Sequence, residues 1–466
     1  MVRRGTPAFA LVALVAVLAC VSTTACSKDR GEAGGAVTNA PSLSLAVGVD
    51  ASSNDPAFGP PRPAPLDRPL RVLIGGDVLP HRPSLIAPAA ILSALAPLGT
   101  LFGQADAVVA NYEAATGEVD PKAFRLAYAA PAGWLEELPR AGVHAITVAN
   151  NHACDLGAPG LEATLEAASK SGVLALGADA DDPWAPRPIV EQNGKRICAV
   201  AWTTLSNAEG GCSRSRHLAV APLTTAGKQR IDRAMAKARS MCDATIAIFH
   251  GGQEYAPQTT LVMEQAVHAA EAGADAVVIH HPHIASPVVV YATKDKRQVP
   301  LFASVGNLVT NQGESWKPPM FPVLPENRHL VCVNGWTRLG VLADLTFTFD
   351  ATVRRPRLDW GTHLVWIDNE HAEDRNVATP KITARVLDPA HDHAIVDALS
   401  QDRRGPLALF SDPCWLERSA SASTEARDPR CTSTSSTGVA SAVVSGVSSA
   451  AIPSRAAKRA TSRRKK

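Results

Sequence analysis

Apolar and polar positions in the middle of the chain follow two alternating patterns. Short apolar runs of strand length are separated by longer segments in which apolar residues recur at helical spacing. Strands are predicted at residues 70–75, 107–110, 144–148, 173–176, 196–202, 244–249, 276–279, 288–291, 300–305 and 340–349, and helices at 161–171, 225–240 and 258–272. Strands that alternate with helices in this way predict an α/β domain.

Polar side chains follow several of these apolar runs at the point where each run ends. They are Asp77, Asn111, Glu113, Asn151, His152, His250, His280, His281 and His283. Each alone is as compatible with a turn, a helix cap or a structural histidine as with a site. Because strand ends of an α/β sheet converge on one edge, their repetition favours a site there. Carboxylate, amide and imidazole groups suit divalent ions such as Mn, Fe or Zn.

Composition and charge narrow the functional classes. The chain has 466 residues, of which 46% are apolar, enough for a sizeable buried core. Its formal net charge of only +2 is unlike that of a nucleic-acid-binding protein, so no nucleic-acid partner is expected. An aromatic content of 5% does not suggest an aromatic platform for carbohydrate.

The two ends of the chain differ from its middle. Arg3 and Arg4 precede an apolar run at residues 8–19, which has the length of a signal-peptide core. Small residues precede Cys20 and Cys26, as in a bacterial lipobox. We therefore predict a lipoprotein signal peptide over residues 1–26 and an exported, cell-envelope protein held to the membrane by a lipid on Cys26. Cys20 is the alternative lipidation site, and an ordinary signal peptide is the alternative leader.

Low-complexity segments flank the predicted domain. Residues 27–68 are rich in Gly, Ala, Ser and Pro and predict a flexible linker. Residues 419–466 are rich in Ser and basic at the end, which predicts a disordered tail.

The cysteines beyond the predicted leader contain no CxxC pair, so a zinc ribbon is not expected. Cys198–Cys212 and Cys332–Cys414 are plausible disulfides outside the cytoplasm, although spacing alone does not assign them.

Six short motifs follow one another over roughly residues 70–310. They are GDVLPHR at 76–82, ANYE at 110–113, ANNHACDLG at 149–157, HGGQEY at 250–255, HHPH at 280–283 and FASVGNL at 302–308. Together they resemble the signature of the CapA family of poly-γ-glutamate capsule proteins. The chain departs from the family pattern at His81, Gly251 and Ile279, where the family has Gly, Trp and Gly.

The resemblance implies a fold and a role. The fold would be a metallophosphatase-like four-layer α/β/β/α sandwich over residues 69–350, with residues 351–418 as a C-terminal extension of that domain. The role would be assembly or export of the poly-γ-glutamate capsule at the outer face of the cytoplasmic membrane, with the capsule synthesis machinery as a possible partner.

The resemblance also implies residue roles around two divalent ions. The metal residues would be Asp77, Asn111, Glu113, Asn151, His250, His280, His281 and His283, with Asn111 or Glu113 near the bridging position. His152 would be a general acid or charge stabiliser, and Arg82 would face an anionic group of the substrate. Asp155 and Glu254 would orient ligating imidazoles, and Asn307 would position a loop beneath the site.

Three functions stay open at this stage. The protein could act on an anionic polymer such as poly-γ-glutamate, or it could be a metal-dependent phosphoesterase or other hydrolase with a phosphorylated substrate. It could also be a non-catalytic binding protein of the envelope in which the metal is structural. Whether the chain is an enzyme is therefore not decided by the sequence.

Overall fold

The structure is a computed structural model that describes most of the predicted domain. It covers residues 68–81, 88–118, 128–207, 212, 217–318, 331–350, 355–377, 380–388 and 390–400. The predicted leader with Cys20 and Cys26, all but the last residue of the linker, Arg82, Cys414 and the basic tail lie outside these residues. Within them, no helix combines the length and the apolar character that crossing a membrane requires.

Sixteen strands and eight α-helices make up the described chain. The strands are β1 (Leu70–Val78), β2 (Ala107–Tyr112), β3 (Ala115–Thr116), β4 (Ala129–Ala130), β5 (Ala145–Thr147), β6 (Leu174–Leu176), β7 (Arg187–Gln192), β8 (Lys195–Thr203), β9 (Ala244–His250), β10 (Ala276–His280), β11 (Val288–Ala292), β12 (Gln298–Phe302), β13 (Asn307–Val309), β14 (Leu339–Thr348), β15 (Arg357–Asn369) and β16 (Ile382–Val386). The helices are α1 (Pro88–Leu95), α2 (Gly99–Phe102), α3 (Gly133–Arg140), α4 (Gly157–Ser171), α5 (Thr225–Met241), α6 (Thr260–Ala272), α7 (Glu370–Glu373) and α8 (His393–Ser400).

The strands form two large sheets. The first has the order β16-β15-β14-β1-β2-β5-β6, with β13 also paired to β1, and the second has the order β11-β12-β10-β9-β8-β7. β1, β2, β5 and β6 run parallel, as do β8, β9, β10 and β12. The carboxyl ends of each parallel set therefore meet at one edge of its sheet, which is where α/β proteins place their sites.

Three layers of buried apolar side chains hold the sandwich together. The middle layer joins the two sheets and includes Val72 and Ile74 of β1 and Ile246 and Ile248 of β9. One outer layer packs α1, α3 and α4 on the first sheet, and the other packs α5 and α6 on the second. The result is an α/β/β/α sandwich, so the predicted metallophosphatase-like α/β fold is confirmed.

A glycine lets two chain segments approach closely at the edge of the first sheet. A Cβ on Gly76 would lie 2.0 Å from the carbonyl oxygen of Gly306, which no side chain tolerates. The backbone N–H of Asp77 donates to that same oxygen at 3.0 Å. As a consequence Asp77 is in register with Asn307 of β13 on one side and Asn111 of β2 on the other.

The disulfides differ from the pairing expected for Cys198. Cys198 pairs with Cys242, and Cys212 pairs with Cys154, so the predicted Cys198–Cys212 bond is wrong. Cys242 lies between α5 and β9, and the parallel pairing of β9 with β8 brings it beside Cys198. Cys212 lies instead against the loop after β5. The predicted Cys332–Cys414 bond involves a residue outside the described chain and stays a prediction.

Candidate metal centre

The predicted site residues meet where the two sheets face each other. Asp77 and Asn111 lie near the ends of β1 and β2, and His250 and His280 end β9 and β10. The other predicted metal residues and His152 lie in the loops that follow β2, β5 and β10. Every predicted metal residue, and His152, is at most 5% exposed. Parallel strands thus deliver carboxylates, amides and imidazoles into one buried cluster.

Two groups of side chains in this cluster could each hold a metal ion. The first is Glu113, His250 and His281, and the second is Asp77, Glu113 and His283. Within each group the potential ligand atoms all lie within 4.8 Å of one another. Glu113 belongs to both groups. The sequence left Asn111 and Glu113 as alternatives for a bridging position, and the membership of Glu113 in both groups is compatible with that position.

The hydrogen bonding of the carboxylates fits a bound cation. Both carboxylate oxygens of Glu113, and Oδ2 of Asp77, are buried and accept no hydrogen bond from the described residues. Oδ2 of Asp77 lies 3.1 Å from Nδ1 of His283 but without hydrogen-bond alignment. A protonated His283 compensates these buried carboxylates only in part, and a divalent ion would remove the remaining cost. Oxygen and imidazole donors together suit Mn, Fe or Zn.

Several donor atoms converge on Nε2 of His250. Oδ1 of Asn151 lies 2.7 Å from it, Nδ1 of His281 lies 3.0 Å away, and Oε1 of Glu113 lies 3.4 Å away. Nε2 of His250 is itself a potential metal ligand, and three further donor atoms lie close to it. Such an arrangement is expected where several side chains bind the same cation. Asn151 therefore stands with the first group as a source of an amide oxygen.

Asn111 and His280 lie outside both groups. Nδ2 of Asn111 donates to Oδ1 of Asp77 at 2.7 Å, while its Oδ1 accepts a hydrogen bond from Thr147 at 2.8 Å. Nε2 of His280 lies 2.9 Å from the carbonyl oxygen of Gly75. These contacts hold Asp77 and β1 in place, and the predicted metal roles of Asn111 and His280 stay predictions. Glu254 is exposed, whereas Asp155 contacts His152.

Burial and neighbouring charges separate the pKa values of the histidines. Burial lowers the pKa of His281 to about 3 and that of His250 well below its ordinary value. Burial acts in the same direction on His283, but the carboxylates of Glu113 and Asp77 outweigh it and raise its pKa to about 10. Burial, followed by the charge of Asp77, raises the pKa of Glu113. Neutral His250 and His281 are ready to bind metal, whereas His283 would exchange a proton for it.

His152 forms a pair with Asp155 beside the two groups. Its Nδ1 lies 2.6 Å from Oδ2 of Asp155, which also accepts the backbone N–H of Tyr128 at 2.7 Å. A carboxylate partner assigns the proton to Nδ1 and leaves the lone pair on Nε2. Nδ2 of Asn207 lies 3.4 Å from that Nε2. The pair can therefore transfer a proton at Nε2.

Backbone strain and one further loop shape the cluster. His281, His283 and Tyr255 have φ values of 104°, 58° and 56°, a region that residues other than glycine rarely occupy. Oδ1 of Asn307 lies 3.0 Å from Nδ1 of His283, as the predicted positioning role requires. Asn207 was missed by the sequence analysis because it lies several residues beyond the end of β8 and belongs to no motif. The loop that carries it reaches the site only through tertiary packing.

An α/β/β/α sandwich with buried carboxylates and imidazoles at the carboxyl edges of both sheets defines a metallophosphatase-like protein. The family model described as bacterial capsule synthesis protein PGA_cap matches residues 71–312, about half of the chain. The chain belongs to this family, which confirms the resemblance stated from its motifs.

Two curated relatives share part of the chain. It is 32% identical to the PGA biosynthesis protein CapA of Bacillus subtilis (strain 168) over 168 residues, which cover 35% of this chain and 42% of that protein. It is 26% identical to the capsule biosynthesis protein CapA of Bacillus anthracis over 181 residues, or 38% of this chain and 43% of that protein. The chain thus spans less than half the length of these relatives.

Proposed function

We propose that this chain is an exported envelope protein that takes part in poly-γ-glutamate capsule synthesis or export through a centre for two divalent metal ions. The observation that carries the proposal is the position of Glu113 in both metal-capable groups. The membership of the capsule synthesis family and the names of the two relatives support the capsule role.

The residues of the centre have separate tasks in this proposal. Asp77 and His283 would hold one Mn, Fe or Zn ion, His250, His281 and Asn151 would hold the other, and Glu113 would contribute to both. Bound ions supply Lewis acidity and lower the pKa of a coordinated water. His152 gives or takes a proton at Nε2, and Asp155 keeps its ring in the required tautomer.

We also propose that a lipid on Cys26 anchors the protein to the membrane, with Cys20 as the alternative site. The apolar run at residues 8–19 and the small residues before each cysteine support this location. The domain would then meet an anionic polymer, and the capsule synthesis machinery, at the membrane surface.

A second candidate is a metal-dependent hydrolase with a phosphorylated envelope substrate. The His152–Asp155 pair favours a catalytic role over a purely structural metal, because a structural metal needs no proton-transfer group beside it. Two bridged ions would serve a phosphoester as well as an amide. The two candidates differ in the bond that is broken or formed, which a substrate assay distinguishes.

The test uses the full chain. Metal content is measured on the purified protein, and poly-γ-glutamate and phosphoester substrates are offered to the wild type, Glu113→Gln, His152→Ala and the control His268→Ala. We expect about two ions per chain in the wild type and control. Glu113→Gln should lose metal and turnover, and His152→Ala should lose only turnover. A chain that binds no metal under any loading condition would refute the proposal.

A further inference from the structure

Helix α5 carries an unusually basic surface. Its residues include Lys228, Arg230, Arg233, Lys237 and Arg239, whereas Asp232 is its only acid. The apolar residues Ile231, Ala234, Met235 and Ala238 face the second sheet, which leaves the charged residues on the outside. The proposed centre uses none of these cations.

Part of this surface forms a groove. A cavity of about 390 Å³ is lined by Asp182, Trp184, Arg230, Arg233, Ala234 and Lys237. Trp184 is half-buried, and its ring stacks on that of Trp202 at a centroid distance of 6.2 Å. The groove therefore has a rigid aromatic wall beside three cations and one carboxylate.

The protein compensates these cations only in part. Nζ of Lys237 pairs with Oδ2 of Asp182 at 2.7 Å, and a guanidinium nitrogen of Arg230 donates to the carbonyl oxygen of Val220 at 2.6 Å. Arg233 is exposed and has no ion pair or hydrogen bond within the described chain. The groove keeps an excess of positive charge, and the donors of Arg233 are exposed.

The groove starts near the edge that carries the metal centre. Thr203 ends β8 in register with His250, and Val220 forms an isolated bridge with Thr203. Arg230 contacts Val220, so it lies at the near end of the groove. Arg233 and Lys237 follow at helical spacings of three and four residues, about 5 Å apart along the axis. The cations thus form a row that leads away from the centre.

We propose that this groove is a second binding site for a linear polyanion with regularly spaced carboxylates, of the kind that γ-linked polyglutamate provides. The guanidinium groups of Arg230 and Arg233 and the ammonium group of Lys237 would bind successive carboxylates. The ring face of Trp184 would pack against the apolar part of the polymer backbone. The site would hold the chain while one segment reaches the metal centre. This inference rests on the proposed function for the identity of its polymer.

The test measures poly-γ-glutamate binding to the full-length chain at low and high salt, with tryptophan fluorescence as an independent signal. The variant Arg233→Ser/Lys237→Ser removes two charges from the groove. The control Lys170→Ser/Arg357→Ser removes two charges from side chains that are each 72% exposed elsewhere. We expect the groove variant to bind about tenfold more weakly at low salt, because two charge-assisted contacts are lost, and the control to bind like the wild type.

Further variants and ligands distinguish a failure of this inference from a failure of the proposed function. Arg233→Ser alone, which breaks no ion pair or hydrogen bond of the described chain, should show part of the loss and keep the thermal midpoint of the wild type. Glu113→Ala should lose metal but keep polymer binding. Equal binding by the groove variant and the control would overturn the inference, as would a wild type that binds no polymer. Tighter binding of anionic lipid vesicles or of an oligonucleotide to the same groove would overturn the assigned ligand class.

Discussion

Oε1 of Glu113 lies 3.4 Å from Nε2 of His250, although the two residues belong to different sheets. Glu113 directly follows β2 of the first sheet, and His250 ends β9 of the second. The candidate centre therefore exists only while the apolar layer between the sheets holds them in place. Metal binding and the stability of the sandwich should consequently depend on each other.

The two metal-capable groups should lose metal separately. His281→Ala removes a ligand of one group only and His283→Ala a ligand of the other, so we expect each variant to keep one ion. Glu113→Gln weakens both groups and should keep neither. Elemental analysis of the purified chains measures this, with His268→Ala as the control. Loss of both ions in each single histidine variant would show that the groups are not independent.

Chelation should destabilise the folded chain. Without a cation, the carboxylates of Asp77 and Glu113 remain buried with incomplete compensation, so we expect a lower thermal midpoint in a chelator and recovery on adding Mn or Zn. At a free metal concentration a hundred times the Kd, the gain is about 2.7 kcal/mol per site. In the Glu113→Gln variant the midpoint should no longer respond to chelator, and a full response there would contradict the assignment.

Asp344 should make the stability of the sandwich depend on pH. Burial raises the pKa of Asp344, but hydrogen bonds from His363 and Arg71 outweigh it and lower the pKa to about 2. A depressed folded-state pKa stabilises the protein above the unfolded value near 3.8, and this contribution disappears as the pH falls towards 2. Asp344→Asn should therefore lose about 2 kcal/mol of unfolding free energy at neutral pH.

Chemical denaturation at several pH values tests this expectation. The difference between wild type and Asp344→Asn should shrink steadily between pH 4 and pH 2, where the wild-type carboxylate gains its proton. Asp359→Asn, at an exposed pair with Arg357, should change stability by less than about 1 kcal/mol. A difference that is constant with pH would mean that packing, and not charge, explains the loss.

The two disulfides should affect the centre differently. Each closes a loop, of 58 residues for Cys154–Cys212 and 44 for Cys198–Cys242, so replacing either pair by serine should cost about 2–4 kcal/mol. Only Cys154 lies in the loop with Asn151 and His152, where the backbone N–H of Asn207 donates to the carbonyl oxygen of Asn151. Cys154→Ser/Cys212→Ser should therefore also weaken metal binding. Equal metal affinity in the two double variants would contradict this difference.

Asp155→Asn should impair proton transfer without removing metal. Asparagine at this position no longer favours the tautomer with the proton on Nδ1 of His152, so Nε2 loses its lone pair in part of the population. On whichever substrate the wild type turns over, we expect a rate loss of about a hundredfold or more with unchanged metal content. A rate close to wild type would exclude His152 as the group that transfers the proton.

The local pattern of apolar and polar residues was sufficient to predict the strands that carry the candidate metal centre. β1, β2, β5, β9 and β10 are buried along their lengths, so each appears as an apolar run followed by its polar residue. β15 was not predicted, although it pairs with β14 along the full length of β14. Its first residues are exposed or half-buried, and such a strand lacks the continuous apolar signal that periodicity detects.

The sequence by itself therefore determined the fold class, the family and the residue types that gather at the strand ends. Tertiary structure alone decided that Glu113 is shared by two groups, that Asn111 supports Asp77, and that Cys198 pairs with Cys242. It also decided that Asn207 reaches His152. Strand patterns reflect burial, which each segment records locally, whereas these contacts depend on how two sheets and their loops pack across large separations in sequence, and no local pattern records that packing.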